Sequence, residues 1–204
     1  LKALYGVEAQ VIPHGYDPAD FPGEPLPPPT ELKILYAGSF VRRREPSFML
    51  KALERADFPV RLTWAGTGTY EPRSPKLARL GYLPHRETCR LMERHHLLWA
   101  MVGEGPGHRL ATPAKAYEYL GARRALLATG PPDSAPALLV REVGGYWAPN
   151  DPEAALGVLR QAWEDLRAGR LKIPKNFEKY SLERRVEALA ELLRRAVVPP
   201  PFSV

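Results

Sequence analysis

Lys33-Ile34-Leu35-Tyr36-Ala37-Gly38 (KILYAG) decides the reading of this 204-residue chain. It is a short apolar run without polar alternation, the pattern of a strand covered on both faces of a parallel sheet. The rest of the chain repeats the theme. The spacing of Phe48, Met49, Ala52, Leu53 and Ala56 predicts a helix over 46–56, Val60 to Ala65 (VRLTWA) reads as the next strand, and Gly66-Thr67-Gly68 as its turn. Leu77 to Tyr82 holds a short strand and Pro84 to His95 a helix with Pro84 near its first turn. Leu97 to Val102 is a strand, 103–110 a glycine-rich loop, and Thr112 to Gly121 a helix capped by Thr112 with Pro113 at its first position. Arg124 to Ala128, Ser134 to Val143 and Tyr146 to Ala148 continue as strand, helix and strand. Asp151 caps a long helix to about Ala168 with Pro152 just inside it, and Ser181 starts a last helix to about Ala196.

Strands separated by helices of ten or so residues require crossover connections, hence a mostly parallel sheet. The expected fold is α/β: a single Rossmann-like, doubly wound parallel sheet with ligands at the C-terminal ends of its strands. Ahead of it, 1–32 is expected to be a linker and proline-rich lead-in, because the prolines from Phe21 to Pro29 cannot pair as a central strand. Residues 33–180 form the expected domain and 181–204 a C-terminal helix and tail. The chain begins at Leu1 without a methionine, and Leu1 to Gln10 reads as a helix end and linker, so a piece of a longer polypeptide is expected.

Composition sets the outer limits. Hydrophobic residues make up 45% and charged residues 25%, a globular balance that excludes a disordered or fibrous chain. The longest apolar runs fall far short of the roughly 20 residues of a membrane helix. The single cysteine, Cys89, excludes an internal disulfide and points to a reducing, cytoplasmic setting. A net charge of +6 attracts phosphates, whether on nucleotides, nucleic acid or anionic lipid, and allows peripheral membrane contact. No stripe of basic residues interleaved with aromatics marks a nucleic-acid face, and no nucleic-acid partner is expected.

Three loops fall at strand ends: 39–45, 66–70 and 103–111. The first carries Arg42-Arg43-Arg44 where a strand gives way to a helix, a place that suits a diphosphate. Neither Gly66-Thr67-Gly68 nor 103–107 completes G-x-G-x-x-G before a helix, so no nicotinamide or flavin cofactor is expected. Their glycines read as room for a ligand against the backbone. In TPAKAYEYLG (112–121), Lys115 and Glu118 share a face near the helix start, where Glu118 can accept two ribose hydroxyls. The histidines at 14, 85, 95, 96 and 108 form no metal pattern, so no metal is expected; His95 and His96 point to different faces. No nucleophile elbow or Cys–His catalytic pair is present. Trp64, Trp99 and Trp147 occupy strand positions and read as core.

Taken in order, VIPHGYD (11–17) with Phe21, KILYAGSF (33–40), GYLPHRE (81–87), KAYEYLG (115–121) with Leu126-Leu127-Ala128, Asp133-Ser134, Gly144-Gly145 and DPEA (151–154) resemble the C-terminal, donor-binding half of GT-B glycosyltransferases, in particular the retaining group 1 family. The resemblance spans nearly the whole chain. It implies a nucleoside-diphosphate sugar, UDP- or GDP-linked, as ligand, and no cofactor. It further implies an acceptor glycan, lipid or small molecule held by a facing N-terminal domain. Glu118 matches the second glutamate of the family's E-x7-E motif, the one that holds the ribose hydroxyls. Arg44 falls where the family has a phosphate-binding lysine, and Ser39, with Phe40 beside it, where many members have an arginine. Tyr82 and Leu83 meet the base, and Thr112 and Pro113 face the donor sugar. The first motif glutamate is replaced by Leu110, so its contact to the sugar is missing. Lys115 corresponds to a lysine found in a subset of the family and joins Arg44 in stabilising charge on the leaving diphosphate. Two alternatives stay open: a sugar-nucleotide epimerase of the same fold, and a noncatalytic basic module binding nucleotides, nucleic acid or membrane.

Overall fold

Six parallel strands run in the order β3-β2-β1-β4-β5-β6: β1 Leu32–Ala37, β2 Val60–Ala65, β3 Leu77–Gly81, β4 Leu97–Met101, β5 Ala125–Thr129 and β6 Tyr146–Ala148. The computed structural model describes residues 5–6, 9–41, 45–105, 111 and 113–197. Among the described residues six α-helices connect and flank the strands: α1 Ser47–Arg55, α2 His85–Glu93, α3 Ala114–Gly121, α4 Ala135–Val143, α5 Pro152–Arg167 and α6 Leu182–Val197.

Side chains alternate across a strand, and in β1 the alternation splits the core in two. Ile34 and Tyr36 join Leu62, Trp64, Trp99 and Leu127 in a layer closed by α1 and α5. Leu35 and Ala37 point the other way, with Ala65, Leu98, Ala100, Leu126 and Ala128, into a layer closed by α3 and α4. Burial on both faces is why these strands carry no polar alternation. At the C-terminal ends, the second layer is lined by alanines at 37, 65, 100 and 128, which leaves room for α3 to lie close to the sheet. β3 is the exposed edge, with Leu80 and Tyr82 in solvent.

Among the described residues the expected strands and helices form, and most boundaries fall within a residue or two; the helix end expected before Gln10 lies largely outside the described residues. Asp151 caps α5 as its sequence signals, accepting from the Ala154 N–H at 2.9 Å, with Pro152 in the first turn. At α3 the start differs. Pro113 is the N-cap, with ψ 117°, and the helix begins at Ala114. A proline ring without an N–H fits either place; Thr112 lies outside the described residues.

The proline-rich lead-in joins no strand of the sheet but is fastened to it by buried polar groups. Glu93 Oε1 accepts from Gly23 N (2.8 Å) and Glu24 N (3.2 Å), and Arg124 donates to the carbonyls of Glu24 and Pro25. The His96 ring accepts the Lys33 N–H at Nδ1 and donates from Nε2 to the Pro27 carbonyl, each at 3.0 Å. Tyr16 then bridges to Ser181, at the root of α6. No described helix is long and apolar enough to cross a membrane.

Candidate functional site

β1 lies at the point where the strand order turns back, and there the sheet divides. β1 stays paired with β2 as far as Ala37↔Ala65, and β4 with β5 as far as Met101↔Thr129. Between β1 and β4, however, the pairing holds only at Ile34↔Leu97 and Leu35↔Leu98. The crevice that opens past them is lined by Tyr36 to Gly38 on one side and Trp99 to Met101 on the other, and α3 covers it with Pro113, Ala114, Lys115, Glu118 and Tyr119. It holds about 170 Å³. A crevice at the carboxyl ends of strands, at the switch in strand order, is where doubly wound sheets bind ligands.

Divergence of the strands leaves the Ala37 N–H facing the crevice wall, and the Tyr119 hydroxyl accepts it at 3.0 Å. That bond fixes the distance between α3 and the end of β1. Burial raises the Tyr119 pKa far above its ordinary value, so the hydroxyl stays protonated. Lys115 and Glu118 stand one turn apart at the mouth, joined at 2.5 Å (Nζ to Oε2) and only partly shielded. A cation and a carboxylate there supply one group for phosphate oxygens and one acceptor for hydroxyls.

The β1 and β2 loops lock against each other beside this crevice. A Cβ on Gly66 would stand 2.0 Å from the Gly38 carbonyl oxygen, and one on Gly68 2.0 Å from that of Phe40. Gly66 and Gly68 thus admit the neighbouring loop's backbone, which corrects for these two the expectation that they make room for a ligand; Gly107 lies outside the described residues. Phe40 bridges to Gly68 and is wholly buried, its ring stacked on Tyr36 at 4.2 Å and packed on Trp64. The Phe40 side chain is therefore core, a correction to its expected place among substrate contacts; only its backbone is left for a ligand. Ser39 is exposed, and its carbonyl accepts from the Tyr36 hydroxyl. Trp64 and Trp99 are core as expected, while Trp147 is half-buried.

On the other flank, Tyr82 is 77% exposed and Leu83 is half-buried against the second core layer. They lead into α2, whose first residue, His85, reaches Glu118: Nδ1 to Oε2 is 3.9 Å. His85 Nε2 lies 2.8 Å from Asp20 Oδ2 and 3.6 Å from Cys89 Sγ. The structure therefore brings Ser39, Leu83, Pro113, Lys115 and Glu118 to one edge of the sheet and adds Asp20, His85 and Cys89. The sequence alone does not single out these last three, although His85 and Cys89 stand four apart on one helix, a spacing that puts two side chains on one face. The basic run Arg42, Arg43 and Arg44, with Thr112 and Leu110, lies outside the described residues.

Comparison with solved structures identifies the architecture. The Anabaena HepE protein, crystallised in complex with UDP-glucose, superposes with a TM-score of 0.66 over 89% of this chain and 56% of its own, at 12% identity. Sucrose-phosphate synthase from Thermosynechococcus elongatus gives 0.70 over 92% and 52%, at 16% identity. The chain has the fold of the C-terminal half of a GT-B glycosyltransferase. AviGT4, a glycosyltransferase involved in avilamycin A biosynthesis, matches this GT-B half at 0.63 over 96% of it and 61% of its own chain, at 17% identity. The chain spans about half the length of the structures it matches. No family model and no curated protein sequence matches it.

Proposed function

We propose that this chain is the donor-nucleotide half of a retaining glycosyltransferase that uses a UDP- or GDP-sugar. One observation carries the reading: Lys115 and Glu118 stand together at the mouth of the crevice where a GT-B sheet divides. Residues 33–180 form the nucleotide-sugar domain, 1–32 the interdomain linker and 181–204 the C-terminal helix and tail. Glu118 turns from Lys115 to the ribose hydroxyls. Lys115, with Arg44 from the basic loop, takes the diphosphate, and the backbone around Ser39 and Phe40 borders it. Tyr82 and Leu83 flank the base, and Thr112 and Pro113 face the sugar.

In this mechanism the bond from the anomeric carbon to the diphosphate breaks, and negative charge grows on the leaving phosphate. Fixed cations and the positive end of the α3 dipole stabilise that charge more than the ground state. Holding the acceptor hydroxyl against the anomeric carbon falls to a facing domain. The chain by itself binds donor and releases nucleoside diphosphate at well below about 1 per second.

A thermal-shift panel tests the reading. A ligand that binds only the folded state stabilises it by about 2.7 kcal/mol at a hundredfold excess over Kd. UDP or GDP should therefore raise the melting temperature by several degrees, and the bare nucleoside by less. Equal stabilisation by inorganic phosphate or by mixed-sequence RNA contradicts the assignment.

A further inference from the structure

We propose that Asp20, His85 and Cys89 form a binding site for one borderline-soft divalent cation, Zn2+ by its donor set. The three ligand atoms, a carboxylate oxygen, an imidazole nitrogen and a sulfur, all lie within 4.8 Å of one another. They come from two elements that pack together: Asp20 from the 3-10 turn Pro18–Asp20 of the lead-in, and His85 and Cys89 from one face of α2. One nitrogen, His85 Nε2, faces both partners, 2.8 Å from Asp20 Oδ2 and 3.6 Å from Cys89 Sγ. In a tetrahedral zinc site, with bonds of about 2.0–2.3 Å, ligand atoms stand roughly 3.3–3.6 Å apart. The nitrogen–sulfur distance already fits, and the Asp–His pair has to open by about half an ångström from its hydrogen bond.

The surroundings suit a cation and give it a way in. Cys89 is fully buried, whereas the His85 side chain is 52% exposed and that of Asp20 25%, so an ion arrives from the solvent side and meets the sulfur last. Glu118 Oε2 stands 3.9 Å from His85 Nδ1. A histidine that ligates through one nitrogen commonly directs its other N–H to a carboxylate, which orients the ring. Oxygen, nitrogen and sulfur in a set of three match Zn2+ or Co2+ and not the all-oxygen shell of Mg2+ or Ca2+. A bound ion cross-links the lead-in turn to α2 beside the crevice, and this holds whatever the crevice binds.

The test is titration of the purified full chain with Co2+ alone. Expected are a near-ultraviolet thiolate-to-metal band and intense visible bands of a tetrahedral ion, both saturating at one equivalent and both abolished by Zn2+. His85→Ala, at an exposed position, should weaken binding roughly tenfold or more. Cys89→Ser should remove the thiolate band, while His14→Ala, at an exposed position elsewhere, should change nothing. Absence of the thiolate band from the wild-type chain, or equal Co2+ affinity in wild type and His85→Ala, overturns the proposal.

Discussion

Replacing Tyr119 by Phe removes one oxygen atom from the wall of the crevice and should cost measurable stability. The ring is 1% exposed, so its packing is retained. What is lost is the acceptor for the Ala37 N–H, at 3.0 Å, on a residue only 4% exposed. A buried donor left without a partner costs about 1–3 kcal/mol. For a chain of this size each kcal/mol shifts the melting temperature by about 2–4 °C, which gives a drop of about 2–12 °C. Urea denaturation is the cleaner assay: the midpoint should fall with an unchanged m-value, because the surface exposed on unfolding does not change. Nucleotide affinity should fall as well, since α3 carries Lys115 and Glu118 and loses its tie to β1. A midpoint indistinguishable from wild type refutes the reasoning, because the Ala37 N–H must then be satisfied without the hydroxyl.

Three other sets of substitutions draw on the same geometry. Phe40→Ala empties the middle of the Tyr36–Trp64 cluster and should cost about 3–5 kcal/mol in urea unfolding, against little if Phe40 were a ligand contact. His95 is held to a pKa of about 4 by burial, with its ring between the Leu91 carbonyl and the Thr63 hydroxyl. Its folded value lies below its unfolded value of 6.5, so the unfolded state binds the proton first. Its contribution is intact above about pH 6.5 and is lost as the pH falls towards 4, on the order of 3 kcal/mol; unfolding of wild type against His95→Gln across that window measures it. Ser substitutions at Val186 and Leu189, which are exposed on α6, should shift the unfolding midpoint by less than about 0.5 kcal/mol equivalent.

The inner strands β1, β4 and β5 were legible because they are buried on both faces, which leaves a continuous apolar run, whereas β3 at the exposed edge carries a weaker signal. β1 and β4 are the clearest cases. Four apolar residues of α6, Leu182, Val186, Leu189 and Leu193, stand out in sequence by their helical spacing, and all four are exposed in the structure. Lys115 and Glu118 were readable as neighbours from their i, i+3 spacing alone. Phe40 was not readable as core. Its burial depends on a bridge to Gly68 and on two carbonyls filling the space a Cβ would need at 66 and 68, and no local pattern encodes that approach between loops. Asp20 was missed for a similar reason, since 65 residues separate it from His85 and only the folded lead-in brings them together. His85 and Cys89 carried a usable signal in their spacing of four, which becomes visible once α2 is read as a helix.

The most direct measurement is calorimetric titration of UDP and GDP, with their 2′-deoxy forms, into wild type and Glu118→Ala. The account predicts one saturable site that prefers the ribo form and an affinity about tenfold or more lower in Glu118→Ala, from a charge-assisted bond of about 1.5–3 kcal/mol. The ribo preference should shrink in the variant, because the hydroxyl has lost its acceptor. Equal affinity of wild type and variant for the ribonucleotide, or no saturable binding of either nucleotide to wild type, contradicts it.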